Sequence, residues 1–284
     1  MLDFASFGEQ QHQRHARQTS HLMQNGAHMS TIAIVTGASS GLGREFVRCI
    51  DGGLMGHVDE IWAIARRSER LEALVRTCTT PVRPFCLDLC DLVSFDILES
   101  ALAEEHARVA LLVNNAGFGV FGSVIHQKHT DAARMVELLM RAPVELTYRA
   151  LPYMTSGSRI INVSSVAAFM PQPNLAVYAA AKRFVLDFSF ALDAELEDVN
   201  IRSTAVCPKF MKTEFLQAPG DAGIAEQFAA LVGYERVEDV ARKAIFAARA
   251  GRALCIPSAD MKLFYAASKV LPYKLALAVE RALL

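Results

Sequence analysis

From residue 31 the chain alternates short, uninterrupted apolar runs with longer stretches whose apolar positions recur every three or four residues. The runs fall at 31–36, 61–65, 82–87, 109–114, 159–164, 201–207 and 253–256. Most are continuously apolar rather than alternating, which is what a strand needs when both faces of its sheet are covered. The stretches between them, near 42–53, 68–77, 91–106, 131–154, 175–198 and 237–250, read as amphipathic helices. Strand and helix taking turns on this scale predicts an α/β architecture, a parallel sheet with helices on both faces. Nothing in 31–256 marks a linker, so one domain is expected over 30–259. Residues 1–29 read as a flexible N-terminal tail. Residues 260–284 read as an amphipathic helical extension, with helices at 261–270 and 273–284 broken at Pro272. Such an extension could rest on a membrane surface, but it suits packing over a pocket or a neighbouring subunit better.

Composition adds exclusions. Among 284 residues, 52% are hydrophobic and 21% charged, with a net charge of −1. That balance describes an ordinary globular protein and gives no reason to expect nucleic acid as a partner. No apolar run approaches the roughly 18 residues a membrane span needs. The six cysteines show no Cys-x-x-Cys spacing, and several lie in apolar runs, so a reducing compartment, the cytoplasm, is expected. His12, His15, His21 and His28 are irregularly spaced without acidic or cysteine partners, which fits a tail rather than a metal site. Met29, just before the first strand, suits either a start site or a junction.

Two clusters carry chemistry. The first apolar run leads into Thr36-Gly37-Ala38-Ser39-Ser40-Gly41-Leu42-Gly43, where a helix opens. Glycines in a strand-to-helix turn let the backbone approach a pyrophosphate, and the helix N-terminus favours its charge. The second is Tyr178 with Lys182, four residues apart and so on one helical face, with Ser165 thirteen residues upstream. A phenol titrates near 10. A fixed cation beside it would bring it toward working range, while a serine hydroxyl can hold a carbonyl oxygen.

These motifs, with the turn Asn114-Asn115-Ala116-Gly117, occur in the order of the short-chain dehydrogenase/reductase family, which the chain resembles over roughly 31–256, in its compact Tyr-x-x-x-Lys branch. The resemblance implies a doubly wound Rossmann fold with a seven-stranded parallel sheet, binding a nicotinamide dinucleotide and assembling as homodimers or homotetramers. It implies Tyr178 as proton donor or acceptor and Ser165 as the group steadying the substrate oxygen. Lys182 would lower the tyrosine's pKa and hold the nicotinamide ribose. Gly37, Ser39, Ser40, Gly41, Leu42 and Gly43 would cradle the cofactor, with Pro208 and Thr213 beside its nicotinamide end. Asp88 would contact the adenine edge, though it also suits a cap for the following helix. Asn115 would pack beside the adenine ribose or tie neighbouring strand ends together.

Cofactor choice follows from charge. An acid after the second strand would accept from a ribose 2′-hydroxyl and repel a 2′-phosphate. This chain reads Ala65-Arg66-Arg67-Ser68 there, so NADP(H) is expected over NAD(H), although Arg67 also suits a solvated cap. Two positions depart from the family. An asparagine is usual in the long helix after the fourth strand; alignment on Ala142-Pro143 places Leu139 there, and 116–161 contains no asparagine. A slower or altered proton relay is expected, with Pro143, which lacks an N–H, helping to release the carbonyl at 139. Lys209 replaces a usual glycine after Pro208, pointing either to solvent or to an acidic substrate group.

The stretches 118–126, 166–177 and 210–233 would line the pocket mouth with Phe118, Phe121, Phe169, Met170, Phe210, Met211 and Phe215. Their character points to an apolar ketone or secondary alcohol as the small-molecule substrate. The expected activity is therefore an NADP(H)-dependent oxidoreductase. The competing reading, drawn from Leu139 and Lys209, is an NADP(H)-binding regulator with little catalysis.

Overall fold

A computed structural model describes residues 29–217, 223, 226, 229, 230, 232–272, 274 and 277. The tail 1–28 and nearly all of the second expected C-terminal helix, 273–284, lie outside the described residues. The strands are β1 (Thr31–Thr36), β2 (Glu60–Ala65), β3 (Val82–Cys86), β4 (Arg108–Asn114), β5 (Arg159–Val163), β6 (Arg202–Val206), β7 (Phe210–Met211), β8 (Tyr234–Glu235) and β9 (Leu254–Cys255). The helices are α1 (Gly41–Asp51), α2 (Ser68–Thr77), α3 (Val93–Glu104), α4 (His129–Val136), α5 (Ala142–Ala150), α6 (Ala176–Leu196), α7 (Val237–Arg249) and α8 (Ala259–Val270). Seven strands form one parallel sheet in the order β3-β2-β1-β4-β5-β6-β9, and β7 pairs with β8 apart from it.

The continuous apolar runs divide themselves by the twofold period of a strand. On β1, Ala33 and Val35 face a core layer shared with Phe46 and Ile50 of α1, Leu71 of α2 and Ile245 of α7. Ile32 and Ile34 face the opposite layer, with Phe95 and Leu98 of α3, Leu146 of α5 and Leu192 of α6. Each large apolar side chain so buried contributes about 1.5–3 kcal/mol. Helices on both faces therefore follow from strands with no polar face. Strand order reverses between β1 and β4, and the crevice beyond the carboxyl ends of those two strands is where ligands bind in such sheets.

Polar groups inside the sheet are few and joined. Asn114 on β4 donates to Asn162 on β5 at 2.8 Å, and Asn162 donates to Ser203 on β6 at 3.3 Å.

The helix expected over 131–154 is not continuous. A π-helical turn, Glu137–Arg141, separates α4 from α5, with the Ala142 N–H bonded to the Glu137 carbonyl. A 3₁₀ turn, Leu151–Tyr153, ends the rod. Pro143, two residues beyond the π turn, has no N–H for the Leu139 carbonyl, which is a physical reason for the break to fall here.

Candidate active site

A cleft of about 670 Å³ opens at the sheet's point of reversal. At one wall Gly37 has φ +67° and Gly43 lies so close to the turn that an added Cβ would stand 2.1 Å from the Gly37 carbonyl oxygen. The turn is fixed from below. Thr36 Oγ1 accepts from the Asn115 and Ala116 N–H groups at 2.9 Å each and donates to the Val113 carbonyl at 3.1 Å. Asn115 Nδ2 donates to the Thr36 carbonyl at 2.9 Å, so Asn115 ties the ends of β1 and β4 together. Ser40, the N-cap of α1, makes no side-chain cap bond, and the start of this helix faces the cleft. An unsatisfied helix N-terminus is a ready anion site.

Beyond β2 the cleft is ionic. Arg67 donates to Ser39 Oγ at 3.0 Å, to Ser40 Oγ at 2.8 Å and to Glu214 at 2.7 Å. Arg70, one helical turn on, donates to the other Glu214 oxygen at 2.6 Å. Together the two guanidiniums hold the Glu214 carboxyl down to about 2. Arg67 does precede α2 as its N-cap residue, but without a side-chain cap bond. Its guanidinium reaches back to the glycine turn instead. Asp88 accepts from the Cys90 N–H at 3.0 Å and from Arg134 at 2.9 Å. Burial alone would raise its carboxyl, but those two bonds outweigh it and hold the pKa below the ordinary value.

The far end is dry. Ser165 caps the 3₁₀ turn Val166–Phe169, its Oγ accepting from the Ala167 N–H at 3.1 Å, and its side chain acts on the Tyr178 phenol to lower its pKa. Lys182, 5% exposed, donates from Nζ to the Val163 carbonyl at 2.7 Å. Ser164 Oγ donates to the Lys182 carbonyl at 2.6 Å, which pins α6 to the end of β5. The Lys182 ammonium lies 5.7 Å from the centre of the Tyr178 ring. Burial brings this ammonium down to about 8. The phenol departs from expectation: burial pushes it above its ordinary 10.0, and only the Ser165 side chain pulls it back. Removing both groups from water outweighs any help from the lysine, whose closest polar partner is a backbone carbonyl.

The structure brings every expected site residue except Gly43 to the cleft wall. Gly43 instead permits the close approach of α1 to the turn. Leu139 is buried in the π turn against Gly117 and lines a neighbouring cavity of about 10 Å³ that Lys182 and Asn114 also face. Of the aromatic and methionine residues expected at the mouth, Phe118, Phe121, Phe210, Met211 and Phe215 line the cleft. Phe169 does not; α8 draws it away, with Tyr265 and Phe264 rings 4.8 and 6.1 Å from its own. Met170 is likewise outside the wall. Lys209 lines the cleft but does not point to solvent. Its Nζ donates to Asp260, in the first turn of α8, at 2.7 Å, and the side chain is only 12% exposed.

Sequence reasoning missed Arg70, Arg134 and Glu214. Arg70 could have been found from its place one helical turn after Arg67, whereas Glu214 carries no local signal. Among the described residues there is no group of three or more His, Cys, Asp or Glu able to hold a metal, and no helix long and apolar enough to cross a membrane.

Comparison with known proteins agrees with this geometry. The family model for short chain dehydrogenase matches residues 31–222. A sulfoacetaldehyde reductase of Chromohalobacter salexigens is 32% identical over 232 residues, covering 78% of this chain and 88% of that protein. An NADP-dependent 3-hydroxy acid dehydrogenase of Escherichia coli (strain K12) is 30% identical over 202 residues, 69% of this chain and 80% of the other. A short-chain dehydrogenase from Sphingobium yanoikuyae, solved in complex with NADPH, superposes with a TM-score of 0.71 at 26% identity, covering 85% of this chain and 92% of its own. A strand-to-helix glycine turn, a serine–tyrosine–lysine wall and these likenesses converge: the chain belongs to the short chain dehydrogenase family, oxidoreductases of alcohol and carbonyl groups.

Proposed function

We propose that this protein is an NADP(H)-dependent carbonyl reductase or alcohol dehydrogenase acting on an apolar ketone or secondary alcohol. The observation that carries the reading is the bonding of Arg67 to the Ser39 and Ser40 hydroxyls, which gathers a guanidinium and two hydroxyls at one point of the cleft. A ribose 2′-phosphate would be held there by charge-assisted bonds. The cleft fits a dinucleotide on its own terms. The glycine turn admits close backbone approach, the helix start is uncapped by its serine, and the volume lies in the range of about 300–1,000 Å³ usual for ligand sites. One relative is named as NADP-dependent and one neighbour was solved with NADPH, while other solved neighbours hold NAD or NADH, so the choice rests on Arg67.

When bound, the nicotinamide supplies or accepts the hydride. The chain supplies the rest. Ser165 Oγ and the Tyr178 phenol converge on the position of a substrate oxygen. A phenol kept protonated by burial suits donation to a carbonyl, the direction of reduction. Lys182 places a positive charge behind it and fixes α6 against β5. Phe118, Phe121, Phe210 and Phe215 exclude water from the reacting carbon. Lys209 is already paired with Asp260, so an anionic substrate would have to compete with that carboxylate for it.

The test is NADPH oxidation across a carbonyl panel that includes aromatic diketones, quinones, aliphatic ketones and sulfonated or carboxylated aldehydes. The expected result is turnover of the apolar members, lost by about 10²–10⁴-fold in Tyr178→Phe. Turnover confined to the charged aldehydes would overturn the substrate class. Tight NADPH binding without turnover on any member would leave the regulatory reading standing.

A further inference from the structure

Residues 213–215 touch both ends of the cleft. Glu214 spans Arg67 and Arg70, with one carboxylate oxygen on each at 2.7 and 2.6 Å. The next residue, Phe215, packs its ring on Tyr178 with centroids 5.6 Å apart and closes against Gly119. The residue before, Thr213, stands over the glycine turn, its Cγ2 3.3 Å from where a Cβ on Gly41 would sit. Three consecutive residues therefore strap the arginine end to the tyrosine ring.

The strap's anchor resembles a ligand. Two guanidiniums from the start of α2 converge on one exposed anion from a segment 147 residues away. One of those guanidiniums also holds both serine hydroxyls of the phosphate turn. A single carboxylate leaves two arginines half neutralised. A phosphate monoester, with a charge of about −1.5 to −2 and three acceptor oxygens, matches them better. Each member of the triad is 42–44% exposed, and exposed ion pairs exchange at little cost. Strong acidity keeps the carboxylate charged at every working pH, so the competitor is always present.

We propose that Glu214 is a specificity-determining residue: it occupies the anion position on Arg67 and Arg70, and a ribose 2′-phosphate displaces it, releasing the 213–215 strap over Tyr178. The inference rests on the NADP(H) reading above. A cofactor lacking the 2′-phosphate has nothing to set against the carboxylate, so with NAD(H) the strap stays latched on the substrate side. Selection then acts twice, once in binding and once in access to the tyrosine.

The experiment titrates NADPH, NADH, 2′-AMP and 5′-AMP against the full-length wild type, Glu214→Gln and Arg67→Ala, then measures the ketone KM with each dinucleotide. Glu214→Gln keeps the shape, removes the charge and sits on an exposed position, so its melting temperature should match the wild type. In that variant NADPH and 2′-AMP should bind about three- to tenfold tighter, with NADH and 5′-AMP within twofold. In the wild type the ketone KM should be higher with NADH than with NADPH, and in Glu214→Gln it should fall to the NADPH value. Unchanged or weaker NADPH binding, or equal tightening of both dinucleotides, overturns the role of Glu214. The NADP(H) reading fails separately, if NADH binds as tightly as NADPH in the wild type and Arg67→Ala changes neither.

Discussion

Arg67, Arg70 and Glu214 meet at one end of the cleft with each side chain more than 40% exposed, whereas Tyr178 and Lys182 meet at the other with 8% and 5% of their surfaces exposed. Both groups are ionisable and both use short hydrogen bonds, yet the consequences diverge. In the exposed cluster, water and salt share the work of solvating charge, so partners can be traded and recognition proceeds by exchange. In the buried pair no carboxylate among the described residues balances the ammonium, and the cost of leaving water appears as displaced acidity. One cleft thus holds a site built to swap anions and a site built to hold protons.

The largest effect should come from erasing the buried charge. A lysine brought from 10.5 down to about 8 costs the folded state on the order of 3 kcal/mol at pH 7. The folded pKa lies below the unfolded one, so the unfolded chain binds the extra proton between the two values. Wild-type stability should therefore gain a rising contribution from Lys182 from pH 8 to about 10.5. Above 10 the raised phenol adds the opposite slope, because only the unfolded chain ionises there. Lys182→Met should lose activity by orders of magnitude while unfolding at higher urea at pH 7, with its advantage gone near pH 10.5. A variant that is less stable at pH 7 would show that the exposed and buried ends do not differ in this way.

Salt should separate the two ends next. Raising NaCl from about 0.05 to 0.5 M shortens the screening length several-fold, and NADPH affinity should fall about tenfold. The pH midpoint assigned to Lys182, followed through kcat, should stay within about 0.3. Isothermal titration and a pH–rate profile at both salt levels would check this, and a midpoint that moves with salt would place Lys182 in contact with solvent.

The smallest effect belongs to Lys209, whose pair with Asp260 lies between the extremes at 12% and 54% exposure. Lys209→Met should cost roughly 0.5 kcal/mol. Its signature should be faster amide exchange confined to α8, read by hydrogen–deuterium exchange. Uniform exchange with unchanged α8 protection would deny the pair any part in seating that helix on Phe169.

What could be read in the sequence was whatever acts over short range. Continuous apolar runs dictated a sheet covered twice, and a helix fixed the relation of Tyr178 to Lys182. The glycine turn declared itself because its spacing meets a backbone requirement. Arg67 was visible as a charge, but neither Arg70 beside it nor their partner was read, since no local pattern brings Glu214 to them. Lys209 was read as pointing outward or inward because Asp260, 51 residues on, approaches only once α8 has packed. The tyrosine's displaced acidity was misjudged for a related reason: a neighbour can be inferred from spacing, whereas the exclusion of water depends on the whole surrounding fold.

The π turn at Glu137–Arg141 has a consequence for phase. Met135 before it and Leu139 within it point into the cluster around Tyr178, whereas Ala142 and Leu146 after it point into the core beneath the sheet. A wider turn slows the rotation of the rod, so one length of chain can serve two hydrophobic interiors that do not lie on a single helical stripe. Wound as an ordinary α-helix with no change in residue count, the segment would turn through roughly one residue's worth more, about 100°, and swing α5 relative to α4. The segment therefore acts as a gear between the catalytic cluster and the sheet, and its residue count is as binding a constraint as any side chain it carries.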